Sequence, residues 1–211
     1  MARYLPLFPL NLVVYPGEKL NLHIFEPRYK QLINDCFASD ATFGIPAFIQ
    51  NKVCTLGTEV KIISIEKTYP NGEMDIKTRG LGIIKVLDFF KQAPNKFYPA
   101  GTVEDVNIIQ DGEEKLKFKI TGLLQQLHSI LGIQKLFIDL PDTYKIYDIA
   151  HHIGLSIEKE YELLAAESEY ERQLLVLEHL EQIMPIVTQT EKLKERVKMN
   201  GHFKNIKPPS F

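Results

Sequence analysis

The chain has little of what metal centres, membrane spans and secreted folds require. Its 211 residues include only two cysteines, Cys36 and Cys54, which by themselves cannot form a zinc quartet. No apolar run approaches the roughly 18 residues that cross a bilayer, and prolines interrupt the apolar segments where a secretion signal would need a continuous core. We therefore expect a soluble, cytoplasmic protein without membrane contacts, in which Cys36 is a buried free thiol.

The motifs of common catalytic sites are also missing. None of the twelve glycines precedes a lysine, so there is no phosphate-binding loop for nucleotide hydrolysis. The sequence has neither the G-x-S-x-G of a serine hydrolase nor the H-E-x-x-H of a zinc protease. Its one G-x-G, at 80–82, is followed by Lys85 where a dinucleotide-binding loop needs glycine, so it indicates a bend in a strand. We expect no enzymatic activity and no cofactor.

The remaining residues that could act as metal ligands or catalytic groups are better explained by structural roles. His151 and His152 would point about 100° apart on a helix and would not converge on a metal ion, so we expect a surface or capping role. Glu26 and Arg28 lie two residues apart at a helix start, where they would not face one another, and no nucleophile accompanies them. We expect a capping role for this pair and no metal site in the chain.

Charge is nearly balanced overall, with a formal net charge of −2, but it is unevenly distributed. Residues 158–181 are acidic, whereas the last twenty residues are basic. The basic residues there are Lys192, Lys194, Arg196, Lys198, Lys204 and Lys207. Solvated helix faces, with cations at the carboxyl end of a helix, account for both segments. Phe203 is the only aromatic residue among these cations, which disfavours a nucleic-acid site in which aromatic rings alternate with basic residues.

The amino-terminal half has the pattern of a small β-barrel. Leu20, Leu22 and Ile24 alternate with polar residues, as on a half-buried strand. The apolar phase slips within 58–69, which indicates a β-bulge, and the Asn-Gly at 71–72 suits a tight hairpin. About six short strands bent by glycines favour a barrel over a flat sheet.

After residue 112 the apolar spacing becomes helical. A long helix is predicted with one apolar face. That face consists of Leu116, Ile120, Leu123, Leu124, Leu127 and Leu131. A shorter helix is predicted over 146–153 and is ended by Gly154. Two further helices are predicted to begin after Ser156 and Ser168, which would cap them.

The last helix is predicted to be long and to be kinked at Pro185, which removes a backbone donor. These patterns divide the chain into a β-barrel subdomain over residues 1–111 and a helical subdomain over residues 112–211, which together form one domain.

Two short segments near the amino terminus are the most informative part of the chain. LPLFPL covers residues 5–10, and LHIFEPRY covers residues 22–29. Pro27 suits the first position of a helix, and Glu26 suits the positive end of the helix dipole. Apolar residues then recur at helical spacing and predict one buried stripe. The stripe consists of Tyr29, Leu32, Ile33, Cys36 and Phe37.

Taken together, the two segments resemble the start of the amino-terminal, substrate-binding domain of the ATP-dependent protease Lon. The resemblance extends to glycines within 57–60 and 79–80 and, in the helical half, to 162–164 and 171–172. It implies an α+β fold, a PUA-like β pseudobarrel followed by a helical subdomain that ends in a long helix. The motif residues, to which we assign a structural role, are His23, Phe25, Glu26, Pro27, Arg28 and Tyr29.

The resemblance also implies a function. Lon proteases carry ATPase and peptidase modules that this sequence does not contain, so we expect a stand-alone, non-catalytic member that recognises polypeptide segments or unfolded clients. A protease or chaperone partner, and a link to ATP-dependent proteolysis, would follow. Related PUA-like barrels bind RNA or small ligands, and these remain the alternative functions.

Four aromatic residues are the first candidates for a binding surface. Phe89, Phe90, Phe97 and Tyr98 surround a polar, proline-containing turn. Partly exposed rings beside polar residues are typical of protein-binding surfaces, although the same rings could close the barrel or pack on the helical half. Phe43, Ile45 and Phe48, around Pro46, form a second candidate with more of the character of a core.

Overall fold

The computed structural model describes residues 1–132, 140 and 143–202, and of 199–202 only the backbone. Phe203, Lys204 and Lys207 of the basic segment lie outside the described residues. No helix in the described part of the chain is both long and apolar enough to span a membrane.

The described residues form six strands and four α-helices. The strands are β1 (Arg3–Pro6), β2 (Lys19–Ile24), β3 (Phe43–Ile49), β4 (Lys52–Thr68), β5 (Met74–Phe90) and β6 (Ala100–Asp105). The helices are α1 (Pro27–Ala38), α2 (Glu114–Leu131), α3 (Ile157–Ala165) and α4 (Glu169–His202), with 3₁₀ turns at Ile146–Asp148 and Ala150–His152.

The strands form one antiparallel sheet that closes on itself. Its order is β1-β6-β5-β4-β3, and β2 pairs with β5. The segment after β1 then runs parallel to β3, where the Phe8 amide donates to the Gly44 carbonyl at 2.8 Å and the Phe48 amide donates to the Leu10 carbonyl at 2.8 Å. Glycine at position 44 leaves room for this packing, because a Cβ there would lie 2.6 Å from a methyl of Ile84 and 2.7 Å from a methyl of Leu7, which would have to shift. The α+β pseudobarrel predicted from the sequence is confirmed.

The long β4–β5 hairpin contains the predicted irregularities. Its register shifts at three places along β4. Gly72, with φ 77°, forms the turn between the strands, as the Asn-Gly signal predicted. Gly80 and Gly82 lie opposite one of the shifts, and β5 continues through them without interruption.

Helix α1 buries most of the predicted stripe. Tyr29, Leu32, Ile33 and Cys36 are buried in the core, whereas Phe37 is 50% exposed, so the prediction for Phe37 is wrong. At 100° per residue, Phe37 lies about 80° around the helix from Tyr29, at the edge of the stripe. Burial raises the pKa of the Cys36 thiol to about 11, as suits an unreactive core cysteine.

The predicted helix over 146–153 is instead two 3₁₀ turns, because so short a segment gains few helical hydrogen bonds. Gly154 ends it with φ 74°. The two predicted caps are confirmed. The Ser156 hydroxyl accepts a hydrogen bond from the Lys159 amide, and the Ser168 hydroxyl accepts one from the Glu171 amide.

The chain forms two compact units, and they differ from the two parts expected on either side of residue 112. The first unit consists of Met1–Ile109 and Tyr147–Glu167, and the second of Gln110–Ile146 and the segment from Ser168 onward. A boundary does fall near 112, but the segment 147–167, from the helical half of the sequence, belongs with the barrel.

In the second unit, α2 packs beside α4. The Lys119 ammonium lies 2.6 Å from Glu181, and the Glu113 amide donates to the Gln173 side chain at 2.8 Å. Ile120, Leu124 and Leu127 of the predicted face are buried, but Leu131, at the end of α2, is 39% exposed. Pro185 lies inside α4, which extends on both sides of it.

In the first unit, Tyr15 attaches the segment 147–167 to the barrel. Its buried ring stacks on Tyr147 at a centroid distance of 4.7 Å, and its hydroxyl donates to the Glu160 carbonyl at 3.0 Å. His151 lies beside this ring and bridges two carboxylates, Glu18 at 3.2 Å and Glu160 at 2.8 Å. His151 lies at the surface, as expected, and its side chain bridges two carboxylates there.

This bridge makes the stability of the protein depend on pH. Hydrogen bonds with Glu18 and Glu160 raise the pKa of His151 to about 9, from about 6.5 in an unfolded chain. Because the folded-state pKa is raised, protonated His151 stabilises the folded protein fully below about pH 6.5, and this stabilisation is lost as the pH rises through about 9. We expect the melting temperature of the wild type to fall more steeply between these values than that of His151→Gln. Equal slopes in thermal unfolding followed by circular dichroism would contradict this account.

Candidate functional site

A groove of about 700 Å³ opens where the start of α1, the β3–β4 hairpin and the end of β5 meet. We call it the α1–β5 groove. Its apolar lining is formed by Pro9, Tyr29, Phe48, Val53, Phe89 and Pro99. Its polar lining is formed by Arg28, Asn51, Lys52 and Lys91. Its volume lies within the range of about 300 to 1,000 Å³ that is typical of ligand sites.

The β3–β4 hairpin supplies one wall of the groove. Gln50 and Asn51 have φ values of 50° and 62°, so the hairpin turns within two residues. This turn fixes the register in which Phe48 pairs with Val53. Directly paired residues project from the same face of a sheet, so both side chains line the groove.

The first turn of α1 supplies a second wall. The Tyr29 ring stacks on Phe8 with centroids 3.8 Å apart, and the Arg28 guanidinium lies 4.5 Å from the centroid of the Tyr29 ring. Arg28 also binds the Glu26 carboxylate at 2.8 Å.

The expectation that Glu26 and Arg28 would not face one another is therefore wrong. Glu26 has an extended backbone and precedes the helix, so the angular spacing of helical residues does not apply to it. Its side chain makes no capping hydrogen bond. Its backbone carbonyl accepts hydrogen bonds from the amides of Tyr29 and Lys30. Glu26 thus orients Arg28 instead of capping α1.

The other motif residues lie away from the groove. His23 faces solvent, as expected, and pairs with Asp75 at 2.7 Å and Glu73 at 3.4 Å. The hydrogen bond with Asp75, together with Glu73, raises the pKa of His23. Phe25 is 59% exposed beside the His23 ring. Of the six motif residues, only Arg28 and Tyr29 line the groove.

The four aromatic candidates differ in how far they are buried and in whether they line the groove. Phe89 is half-buried and lines the groove. Phe90 is 43% exposed and Phe97 is 68% exposed, and neither lines the groove. Tyr98 is only 5% exposed and belongs to the core, which is incompatible with its use as a surface anchor. In the second candidate, Phe43 and Ile45 are buried as a core would require, and only Phe48 lines the groove.

The turn that carries Phe97 is fixed to α1. Lys96 and the Tyr98 hydroxyl both contact the Asp35 carboxylate, at 2.8 and 2.9 Å. The Phe97 amide donates to the side chain of Gln31 at 2.8 Å. The hydrogen bonds from Lys96 and Tyr98 hold the pKa of Asp35 below its usual value. Three contacts therefore connect the turn to α1.

The groove is suited to binding rather than to bond cleavage. No serine, cysteine, histidine or carboxylate is among its lining residues, so it contains no nucleophile with a base. In the described residues there is also no cluster of side chains suited to a metal ion. Sequence reasoning missed six of the lining residues: Pro9, Asn51, Lys52, Val53, Lys91 and Pro99. The available signal was that Lys91 follows the Phe89-Phe90 pair directly and Lys52 follows a tight turn.

The burial of the aromatic residues predicts how each substitution changes stability. Tyr98→Ala should lower the free energy of unfolding by about 3 to 5 kcal/mol, because it leaves a cavity in the core. Phe97→Ala, at an exposed position, should change it by less than about 0.5 kcal/mol. Urea unfolding followed by circular dichroism measures both. A large loss for Phe97→Ala would show that its ring is packed in solution.

Comparisons with known proteins agree with the fold. The model of the ATP-dependent protease La (LON) substrate-binding domain family matches residues 4–182. A Lon N-terminal domain protein from Xanthomonas campestris is similar in structure, with 23% identity and a TM-score of 0.65, covering 83% of this chain and 97% of that one. The N-terminal domain of a Lon protease from the Mycobacterium avium complex has 13% identity and a TM-score of 0.64, and the match covers 85% of this chain and 98% of that one. At these identities the two structures support the fold alone. No curated protein matches the chain.

Proposed function

The chain belongs to the family of substrate-binding domains of the ATP-dependent protease Lon, and we propose that it binds polypeptide segments of unfolded clients in the α1–β5 groove. The observation that carries the proposal is the convergence of apolar side chains from distant parts of the sequence. Phe48, Phe89 and Pro9 come from three separate segments and line one concave surface. Concave apolar surfaces with a few polar groups are the usual form of a binding site.

The framework of the groove is preorganised. Tyr29 is held by stacking on Phe8, and Phe48 by the hydrogen bond between its amide and Leu10. Pro99 restricts the backbone that leads into β6. Binding then requires little ordering of the protein, so more of the interaction energy contributes to affinity.

Phe90 and Phe97 are proposed as secondary contacts for longer clients. Both rings are exposed, and Phe97 is presented on a turn that is fixed to α1. Exposed aromatic rings on rigid elements bury a large area at little cost in conformational entropy. Tyr98 is left out of the proposed surface because it belongs to the core.

The binding surface is tested by removing rings at the groove. Phe48→Ala and Phe89→Ala should each weaken the binding of fluorescein-labelled β-casein, an unfolded protein, by about 1 to 2 kcal/mol, or roughly 5- to 30-fold. Phe37→Ala is the matched control, since Phe37 is an exposed phenylalanine of the same unit outside the groove. Fluorescence anisotropy measures the affinity of variants whose melting temperature stays near that of the wild type. Unchanged binding by both groove variants would place the binding surface elsewhere.

The proposed role is non-catalytic. The groove contains no nucleophile, and the family model that matches the chain describes a substrate-binding domain. We expect the purified protein to hydrolyse neither ATP nor casein. Turnover that follows the protein through successive purification steps would contradict this role.

A cytoplasmic location and a protease or chaperone partner complete the proposal. Both cysteines, Cys36 and Cys54, are free thiols, as is usual in a reducing compartment. A module that binds clients without cleaving them needs a second protein to process them, and membership of the Lon family supports an ATP-dependent protease in that role.

A further inference from the structure

The α1–β5 groove is positively charged although the protein as a whole is slightly negative. Arg28, Lys52 and Lys91 are among its lining residues, and none of its lining residues is acidic. The formal net charge of the chain is −2. The positive character is therefore a local property of the groove.

Two of these cations have no charged partner among the described residues. In the part of the chain that the structure describes, neither Lys52 nor Lys91 forms an ion pair, and both are exposed. Some other lysines of the barrel surface do form ion pairs: Lys61 pairs with Asp40, and Lys77 pairs with Glu66. Arg28 binds Glu26 but keeps about half of its side chain exposed. Lys52 and Lys91 are thus available to a ligand.

We propose that the α1–β5 groove selects polypeptide segments in which an apolar side chain is flanked by acidic residues. This inference rests on the proposed function and specifies its substrate class. The apolar side chain would occupy the surface formed by Phe48, Val53 and Phe89, and the flanking carboxylates would lie at Lys52 and Lys91. Complementary charge at the rim of a binding site speeds association and excludes partners of the wrong sign.

A polypeptide fits the groove better than a nucleic acid does. Single-stranded nucleic acids bind by stacking bases on exposed aromatic faces. The ring of Tyr29 is only 5% exposed and is already stacked on Phe8. Phe48 and Phe89 are both half-buried. The groove therefore offers apolar contact and positive charge without a platform for bases.

The experiment compares three fluorescein-labelled peptides that share a Leu-Val-Phe centre and differ only in flanking glutamates, glutamines or lysines. The glutamate peptide should bind about 5- to 10-fold more tightly than the glutamine peptide, as expected for two exposed ion pairs, and the lysine peptide most weakly. Raising the salt from about 50 mM to about 500 mM should reduce these differences, because salt screens exposed charges. Fluorescence anisotropy gives the affinities.

Charge reversal tests the two lysines directly. The double variant Lys52→Glu/Lys91→Glu should reverse the order of the three peptides. Lys19→Glu/Arg79→Glu changes the net charge equally at exposed positions outside the groove and should preserve the order. If the reversal disturbs folding, Lys52→Gln/Lys91→Gln should abolish the preference of the wild type.

The outcomes separate this inference from the proposed function. Binding that is lost in Phe89→Ala but does not depend on the flanking charge would overturn the inference and leave the groove as the peptide site. Binding that depends on neither Phe48 nor Phe89 would overturn both. Tighter binding of polyuridylate than of the glutamate peptide, with displacement of that peptide, would overturn the inference in favour of RNA.

Discussion

Closure of the sheet by the segment after β1 is the constraint on which the groove depends. That segment is paired with β3 through backbone hydrogen bonds at Gly44 and its neighbours, and the Phe8 ring packs with Phe43 in the core. Pro9, within the same segment, has no amide hydrogen for the ladder and lines the groove instead. The pairing that completes the barrel therefore also brings the first residues of the chain to the β3–β4 hairpin and the end of β5.

The groove shows how a protein can expose apolar surface without losing its core. Tyr29 belongs both to the lining and to the main hydrophobic cluster, where it stacks on Phe8. Phe89 likewise lines the groove and packs against the smaller cluster around Leu5. Phe89 is anchored on one side and remains partly exposed, whereas Tyr29 is almost fully buried, so the shape of the groove is maintained by the same contacts that stabilise the fold. The cations at the rim keep this apolar surface solvated and disfavour contact between two identical grooves.

Much of the fold could be predicted from the sequence because its signals are local. The alternation in β2, the Asn-Gly turn and the stripe of α1 each depend on residues a few positions apart. The site could not be predicted in the same way, because its lining residues extend from Pro9 to Pro99 and meet only once the barrel has closed. Local rules also failed at the ends of elements. Glu26 precedes α1, so the angular spacing of helical residues does not describe its side chain. The segment 146–153 has helical spacing but is too short to form more than 3₁₀ turns.

The segment 147–167 has a consequence for the order in which the protein is made. The barrel unit is discontinuous in the chain, since 37 residues of the second unit, Gln110–Ile146, are synthesised between its two parts. Until the segment 147–167 has left the ribosome, the aromatic face of Tyr15 has no partner in Tyr147. The first part of β4 then also lacks the hydrogen bond that the Leu56 amide donates to the Tyr161 hydroxyl. The barrel therefore completes its packing late in synthesis, after all of its strands are available, and a chain shortened to its strands alone would expose a surface that the intact protein covers.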